Sequence, residues 1–525
     1  MIANKDQIIV QAQEVKNSGN ISSATSQVSL KSQNLNNSGL ISSADELSID
    51  QQEFLTNTGT LNAARIVLNA KNLKNSGSIE QTGTQSLKLV SASISNNAGR
   101  IGLVKKSEIP EGSGNNNTGN TVDTGSTEIK PNNPAKDGGR VESANDGSIA
   151  KIQKNYDTGY INVKEQLNND KGGIVAYGVV DIDTNNVLEN REGKINLGHI
   201  KVQGENFNND QGQLTVQQAD ISTSTLSNQS GQITVNKNLS IQSKIANNDK
   251  GIIQTVERLD LQTADQLSNR EGKIASGQQL SIQAGQVNNQ SGLLYSEQAN
   301  IALDVDKNLD NSSGIIQAKD QLNLNSQKLN NRLGQILAEN IEQKHDSVEN
   351  TEGSIVAKQN LKSIVEQFDN NKGEIQAQNI QFTHVQLNNS GNIYADQNLK
   401  IAAQLLQNAG TLSAGQNIQL NSKSVEHENS GLIVAGLDRQ GKLGALGDLN
   451  IIADQVALHG KSFAGNTLNV QASLQSKDLD VSASGTNINV LQAEQANGKN
   501  LTTGHATDLS NTIQTQTSGW HLESH

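Results

Sequence analysis

Cysteine is absent from this chain of 525 residues, which excludes disulfide staples and zinc–thiolate centres together. Aromatic residues make up only 2%, with one Trp, and there is a single Met. A broad core built on large rings is therefore excluded. Proline occurs three times, all within 110–134. No stretch reaches the roughly 18 apolar residues that cross a bilayer as a helix. The opening, MIANKDQIIVQAQEV, has no basic segment followed by an apolar one, so no secretory signal peptide is read there. The net charge is −12 and the pI about 5.2, which argues against nucleic acid as a partner.

What remains is polar and glycine-rich. Hydrophobic residues are 33%, Gly numbers 46, and Asn, Gln and Ser are abundant. Such a composition can signal disorder. The net charge is small for the length, however, and the aliphatic residues fall in regular pairs. An interior of Ile, Leu, Val and Ala with few rings is narrow, as in a solenoid whose every turn buries only a few side chains.

Self-similarity organises the sequence. "LNNSGLI" at 35–41 recurs as "LSNREGKI" at 267–274, "LNNRLGQI" at 329–336 and "LNNSGNI" at 387–393. The general form is aliphatic-x-Asn, a short spacer, then Gly-x-Ile/Leu. Glycines from Gly19 to Gly99 and from Gly172 to Gly431 recur every 18 to 22 residues, each followed two positions later by Ile or Leu. Within one period lie three short strand signals: Ile316-Gln-Ala318, Leu322-Asn-Leu324 and Leu329-Asn-Asn331. Apolar-x-apolar is the mark of a strand with one buried face. No Asn-Gly or Asp-Gly turn joins the pairs into hairpins.

The prediction is an all-β fold, a right-handed parallel β-helix (solenoid) with triangular coils of about 20 residues, each strand pairing with its equivalent ~4.8 Å away in the next coil. Leucine-rich repeats are excluded because the L-x-x-L-x-L stretch and a helical half are missing, and calcium-binding glycine repeats because G-G-x-G-x-D is missing.

The corner positions are Asn17, Gly19, Asn37, Gly39, Asn57, Gly59, Asn269, Gly272, Asn289, Gly292, Asn311, Gly314, Asn331, Gly334, Asn350 and Gly353. Gly suits a corner with positive φ or a crowded backbone, and Asn a stacked amide ladder. A glycan- or metal-binding role for these Asn is the sharper reading. Regular recurrence favours architecture.

Four segments follow: repeats at 1–104, a Gly/Asn/Pro-rich insertion loop at 105–148, repeats at 149–435, and a divergent continuation with a tail at 436–525. In the last, Leu449-Asn-Ile451, Leu468-Asn-Val470 and Ile488-Asn-Val490 keep the pattern without the Asn-x-Gly corner.

Chemistry is sparse. The eight histidines are dispersed. His521 and His525 share a metal-like spacing, but a polar tail explains them. Tyr156, Tyr160 and Tyr177 cluster near the insertion, where rings stack on sugars or cover apolar surface. No nucleophile elbow, zincin helix or phosphate loop is present. No catalytic, cofactor or metal residues are assigned. A β-helical polysaccharide-degrading enzyme needs Asp, Arg and Lys stacked on one face, and the acids at 304–310 read as solvated turns.

The motif aliphatic-x-Asn-x-x-Gly-x-Ile, followed by Leu-x-Leu at a twenty-residue period, resembles the haemagglutinin repeat region of filamentous haemagglutinin-like adhesins. It covers about 1–104 and 149–435, and 436–525 weakly. The resemblance implies a secreted or cell-surface protein of a Gram-negative bacterium, exported by two-partner secretion through an outer-membrane barrel transporter. It implies a monomeric adhesive rod for host cells, matrix or other bacteria. Contact-dependent growth inhibition effectors share this shaft, which makes a toxin stalk the alternative. The resemblance supplies no receptor. Without the family's signal peptide and secretion domain, the chain reads as a fragment of a longer protein.

With about 24 to 26 coils at ~4.8 Å each, the expected length is roughly 115–125 Å. Small-angle scattering should return the profile of a slender rod; the profile of a globule would overturn the coil assignment.

Overall fold

In the computed structural model the described residues are 2–3, 6–85, 87–103, 160–181, 186–438, 440–444, 446–474, 480–483, 488–493 and 500–503. Side chains at 2–3, 103, 160, 176–181 and beyond 470 are not among them. The insertion expected at 105–148, Tyr156 and the last residues with His505, Trp520, His521 and His525 lie outside the described residues.

Every regular element described is a strand, and the strand pairings with known register are parallel, one coil to the next. The fold is a parallel β-solenoid of stacked turns of about 20 residues. The chain divides into two units, Met1–Ser243 with Gln254–Val256, and Lys244–Ile253 with Glu257–His525.

In the first unit, one coil runs through the strand Leu40–Asn57, and its burial pattern shows three inward runs. Ile41 and Ser43 face in from the first side, Leu47, Ile49 and Gln51 from the second, and Leu55 and Asn57 from the third. Exposed residues separate the runs and form the corners. Alternation of buried and exposed side chains is the period-2 signature the sequence carries. The register ties like to like: Ile41 lies over Leu61, Ile49 over Leu68, Leu55 over Leu73 and Asn57 over Asn75.

The same plan holds in the second unit. The first side carries Ile316, Ile336, Ile355, Ile375 and Ile393 in one column. Beside it runs a column of small residues, Ala338, Ala357, Ala377, Ala395 and Ala414. The coil through Asn392–Asn408, for example, buries Ile393 and Ala395 on its first side, Leu399 and Ile401 on its second, and Leu406 and Asn408 on its third. A fully buried aliphatic side chain contributes about 1.5–3 kcal/mol, and the contribution accumulates coil by coil.

Coil length varies while the inward register does not. The irregularities fall at the corners, between Ser43 and Glu46, between Gln51 and Phe54, and between Val356 and Asn360. Two longer connections join a first side to the second side that follows it. One links Leu103 to Tyr160. The flanking strands still pair on either side: Arg100 with Ser78 and with Gly173, and Ile161 with Leu89.

The other connection lies between Ala435 and Leu449, where Leu437 and Leu443 form an antiparallel bridge. Gly436, Gly441 and Gly447 there have φ of 86°, 76° and 140°. A side chain on Gly447 would collide with the backbone of Gly436. The excursion lays Leu437 and Leu443 over Leu432, Val434 and Phe463, a small apolar cluster. Beyond it Leu449 pairs with Leu468, and Leu468 with Ile488.

Ile336 is fully buried between Ile316 and Ile355. Ile336→Asp should cost about 4 kcal/mol or more through the lost aliphatic contact and an unpaired buried charge. Limited proteolysis should then cut the adjacent coils selectively. Unchanged resistance would contradict the packing.

Candidate functional site

The third side of each coil ends in the repeat Asn, and these side chains point inward and stack. In the first unit Asn17 Nδ2 donates to Asn37 Oδ1, Asn37 to Asn57 and Asn57 to Asn75, each at 2.8 Å. The series continues through Asn96, Asn169, Asn190, Asn209 and Asn228 at 2.7–2.8 Å. The step from Asn96 to Asn169 passes over the long connection without a break. In the second unit it runs Asn248, Asn269, Asn289, Asn311, Asn331, Asn350, Asn370, Asn389 and Asn408, again at 2.7–2.8 Å.

Each amide also holds its corner together. Asn331 Nδ2 reaches Gly334 O and Ser354 O, both at 3.3 Å. One side chain thereby satisfies carbonyls of its own coil and of the next. Asn331 is completely buried, and so are Asn269, Asn289, Asn311 and Asn350. At that depth an unpaired amide costs about 1–3 kcal/mol, so the ladder has to be continuous.

The corners come in two lengths. Asn17–Gly19, Asn37–Gly39 and Asn57–Gly59 have one intervening residue. Asn269–Gly272, Asn289–Gly292, Asn311–Gly314, Asn331–Gly334 and Asn350–Gly353 have two. In the longer form positive φ falls on the residue before the glycine: 54° at Glu271, Ser291 and Ser313, 56° at Leu333 and 53° at Glu352. None of these is β-branched, which the left-handed region penalises most. Of the two roles expected for the glycines, crowding applies and positive φ does not. A Cβ on Gly334 would collide with the Asn311 carbonyl, and one on Gly39 with that of Gly19. Gly19 itself has open space around it.

A second amide column, not singled out from the sequence, runs up the corner between the first and second sides. Asn360 donates back to Asn340 at 2.9 Å, and Asn398 to Asn379 and Asn417 to Asn398 at 3.2 Å. These bonds run opposite to the buried ladder and face solvent. The signal was available as Asn directly before the second-side apolar pair: "NIE", "NLK", "NIQ".

The outward residues of the third side line a polar groove across several coils. Lys328, Glu349, Thr351, Gln367, Asp369, Asn371, Asn388, Ser390, Gln407 and Glu428 face it. Amides hold two carboxylates at this surface: Asn388 donates to Asp369 and Gln407 to Glu426.

Of the histidines, His199 sits 3.0 Å from Asp220 in a half-exposed pair. His345, His384 and His427 are buried. His427 occupies the ladder position after Asn408. Its Nδ1 accepts from Asn408 Nδ2 at 3.2 Å, and its Nε2 donates to Lys461 O at 3.1 Å. Burial pushes this imidazole below the usual histidine range, which suits the neutral ring those contacts require. The next residue in the column is Leu458, where the amide series ends. Among the described residues no cluster of three or more metal-ligating side chains occurs.

Asn331→Ala should destabilise its coils by about 2 kcal/mol by orphaning the neighbouring amides. Asn331→Asp should cost more, since its carboxylate would face Asn350 Oδ1. Hydrogen exchange over 311–354 measures both. Equal protection in wild type and Asn331→Asp would show that the ladder does not hold these coils.

Haemagglutinin repeats match the chain at residues 17–103, 157–217, 211–270, 254–313, 301–362, 345–394, 370–455 and 432–486. No curated protein and no solved structure matches it. The matched segments cover well over half of the chain and coincide with the stacked coils and their amide corners, and the chain belongs to the haemagglutinin repeat family.

Proposed function

We propose that this chain is a shaft segment of a secreted, cell-surface bacterial adhesin of the filamentous haemagglutinin type. Its task is attachment to host cells, matrix or other bacteria. The observation that carries the reading is the haemagglutinin repeat running through most of the chain on a β-solenoid. The repeat family is one of structural adhesin shafts and not of enzymes.

The physical logic supports it. The buried positions are spent on register, with one aliphatic set and one amide per coil, and leave the outward positions free to vary. Binding chemistry therefore belongs on the outer faces and on insertions at corners. The segment 105–148 is the longest such insertion, and the repeat Asn and Gly serve as architecture beneath it. Export through an outer-membrane barrel transporter is the partner the family implies.

Beads coated with the full chain should attach to epithelial cells or extracellular matrix, and beads carrying a variant lacking 105–140 should lose most of that attachment. Undiminished attachment by the variant would move the binding element to the solenoid faces. No attachment by the full chain, together with growth inhibition of neighbouring bacteria by its parent protein, would favour a toxin stalk instead.

A further inference from the structure

No Asp, Glu, Lys or Arg is buried among the described residues. The titratable side chains that point into the solenoid are histidines. Two of them, His345 and His384, lie on the second side in one column with Ser326, Val365 and Ala403. Their exposures are 4% and 5%.

His345 Nδ1 is 2.7 Å from Ser326 Oγ, and His384 Nδ1 is 3.3 Å from Val365 O. The Nε2 atoms of both rings have no partner, and neither does Gln343 Oε1 beside His345. Phe382 packs edge-on to His384 with centroids 4.8 Å apart, Phe368 lies 5.3 Å from the same ring, and Phe368 and Phe382 stack with centroids 5.8 Å apart. Inward neighbours on the adjoining coils are Gln343, Ser363, Phe382 and Ile401, none of them ionised. On the second side the charged residues, Glu342, Lys344, Asp346, Lys362, Glu366 and Lys400, alternate onto the outer face and are exposed. A proton on either ring would meet no counter-charge.

We propose that the coils from 335 to 403 form an acid-triggered opening segment: protonation of His345 and His384 parts these coils locally and bares the Phe368–Phe382 stack, while coils without an interior histidine stay closed.

Burial pushes both imidazoles from 6.5 down to about 4. An opened coil exposes them to water, where they protonate near 6.5. Between those two values the open state binds more protons than the closed one. The coils are therefore fully stable above about pH 6.5 and lose stability as pH falls toward 4. Below that the two rings add no further dependence. Local opening is the expected response because each coil contacts only its neighbours.

Hydrogen exchange on the full chain, corrected for intrinsic rate, should be compared at about pH 7 and about pH 4.5. Opening of 335–403 should rise roughly tenfold or more for each histidine exposed, against little change in the histidine-free coils of 28–75. His345→Val with His384→Val, which repeats the Val365 already in that column, should remove the excess. A uniform response along the chain, or an undiminished excess in the double variant, would overturn the proposal. Should the double variant fold poorly, NMR titration of the wild-type chain, with the His345 and His384 resonances assigned by single substitution, decides: both rings held well below 6.5 support it, and both titrating near 6.5 refute it.

Discussion

A buried asparagine amide can be satisfied by an identical amide displaced by one coil, and the rest of the fold depends on that fit. Its Nδ2 donates to the next Oδ1, and its own Oδ1 accepts from the one before. Aliphatic columns alone would tolerate sliding, because Ile over Leu packs about as well as Leu over Ile. A one-residue slip flips every side chain on a strand to the other face. A two-residue slip keeps the aliphatic faces inward, and there the ladder decides, because the buried amides would lose their partners. The Asn column fixes register, and the Ile, Leu and Ala columns supply the larger share of stabilisation.

That division explains where the chain accepts change. The ladder corner differs between coils by a single residue, since its Gly lies against the carbonyl of the preceding coil. The corner between the first and second sides has no continuous buried amide ladder among the described residues, and Gln81 is a single buried amide there. The strands ending at Leu103 and at Ala435 are each followed there by a connection longer than an ordinary corner. In each case the strands on either side remain paired to the coils they stack on. A protein that must display variable material on a constant scaffold has in this corner a place to attach it.

Much of this was legible in the sequence because the repeat is strict where burial is strict. Ile316/Ala318, Leu322/Leu324 and Leu329/Asn331 were readable as three inward pairs, and all six side chains are buried. Less legible was the corner backbone. Positive φ falls on Glu271, Ser291, Leu333 and Glu352, which share no chemical feature beyond lacking a branched Cβ, so no residue type announces it. The outer amide column is masked in the sequence because Asn340, Asn360 and Asn379 sit among other Gln and Asn. The interior histidines look dispersed in the sequence, since His345 and His384 are 39 positions apart in the chain. Only two coils of stacking bring them into one column.

The end of the ladder shows the same constraint from the other side. After Asn408 the column passes to His427, whose ring still accepts from the last amide, and then to Leu458, which cannot. Where the amides stop, the excursion after Ala435 lays Leu437 and Leu443 over the outward Val434 and Phe463. Apolar cover on the outside appears at the coils where polar register on the inside is lost. A parallel stack can be held by either means. The amide ladder leaves all three outer faces open to solvent and partners, whereas the apolar cover occupies one of them. A shaft whose outer faces must remain available is better built on the first, and the coils before His427 are built that way.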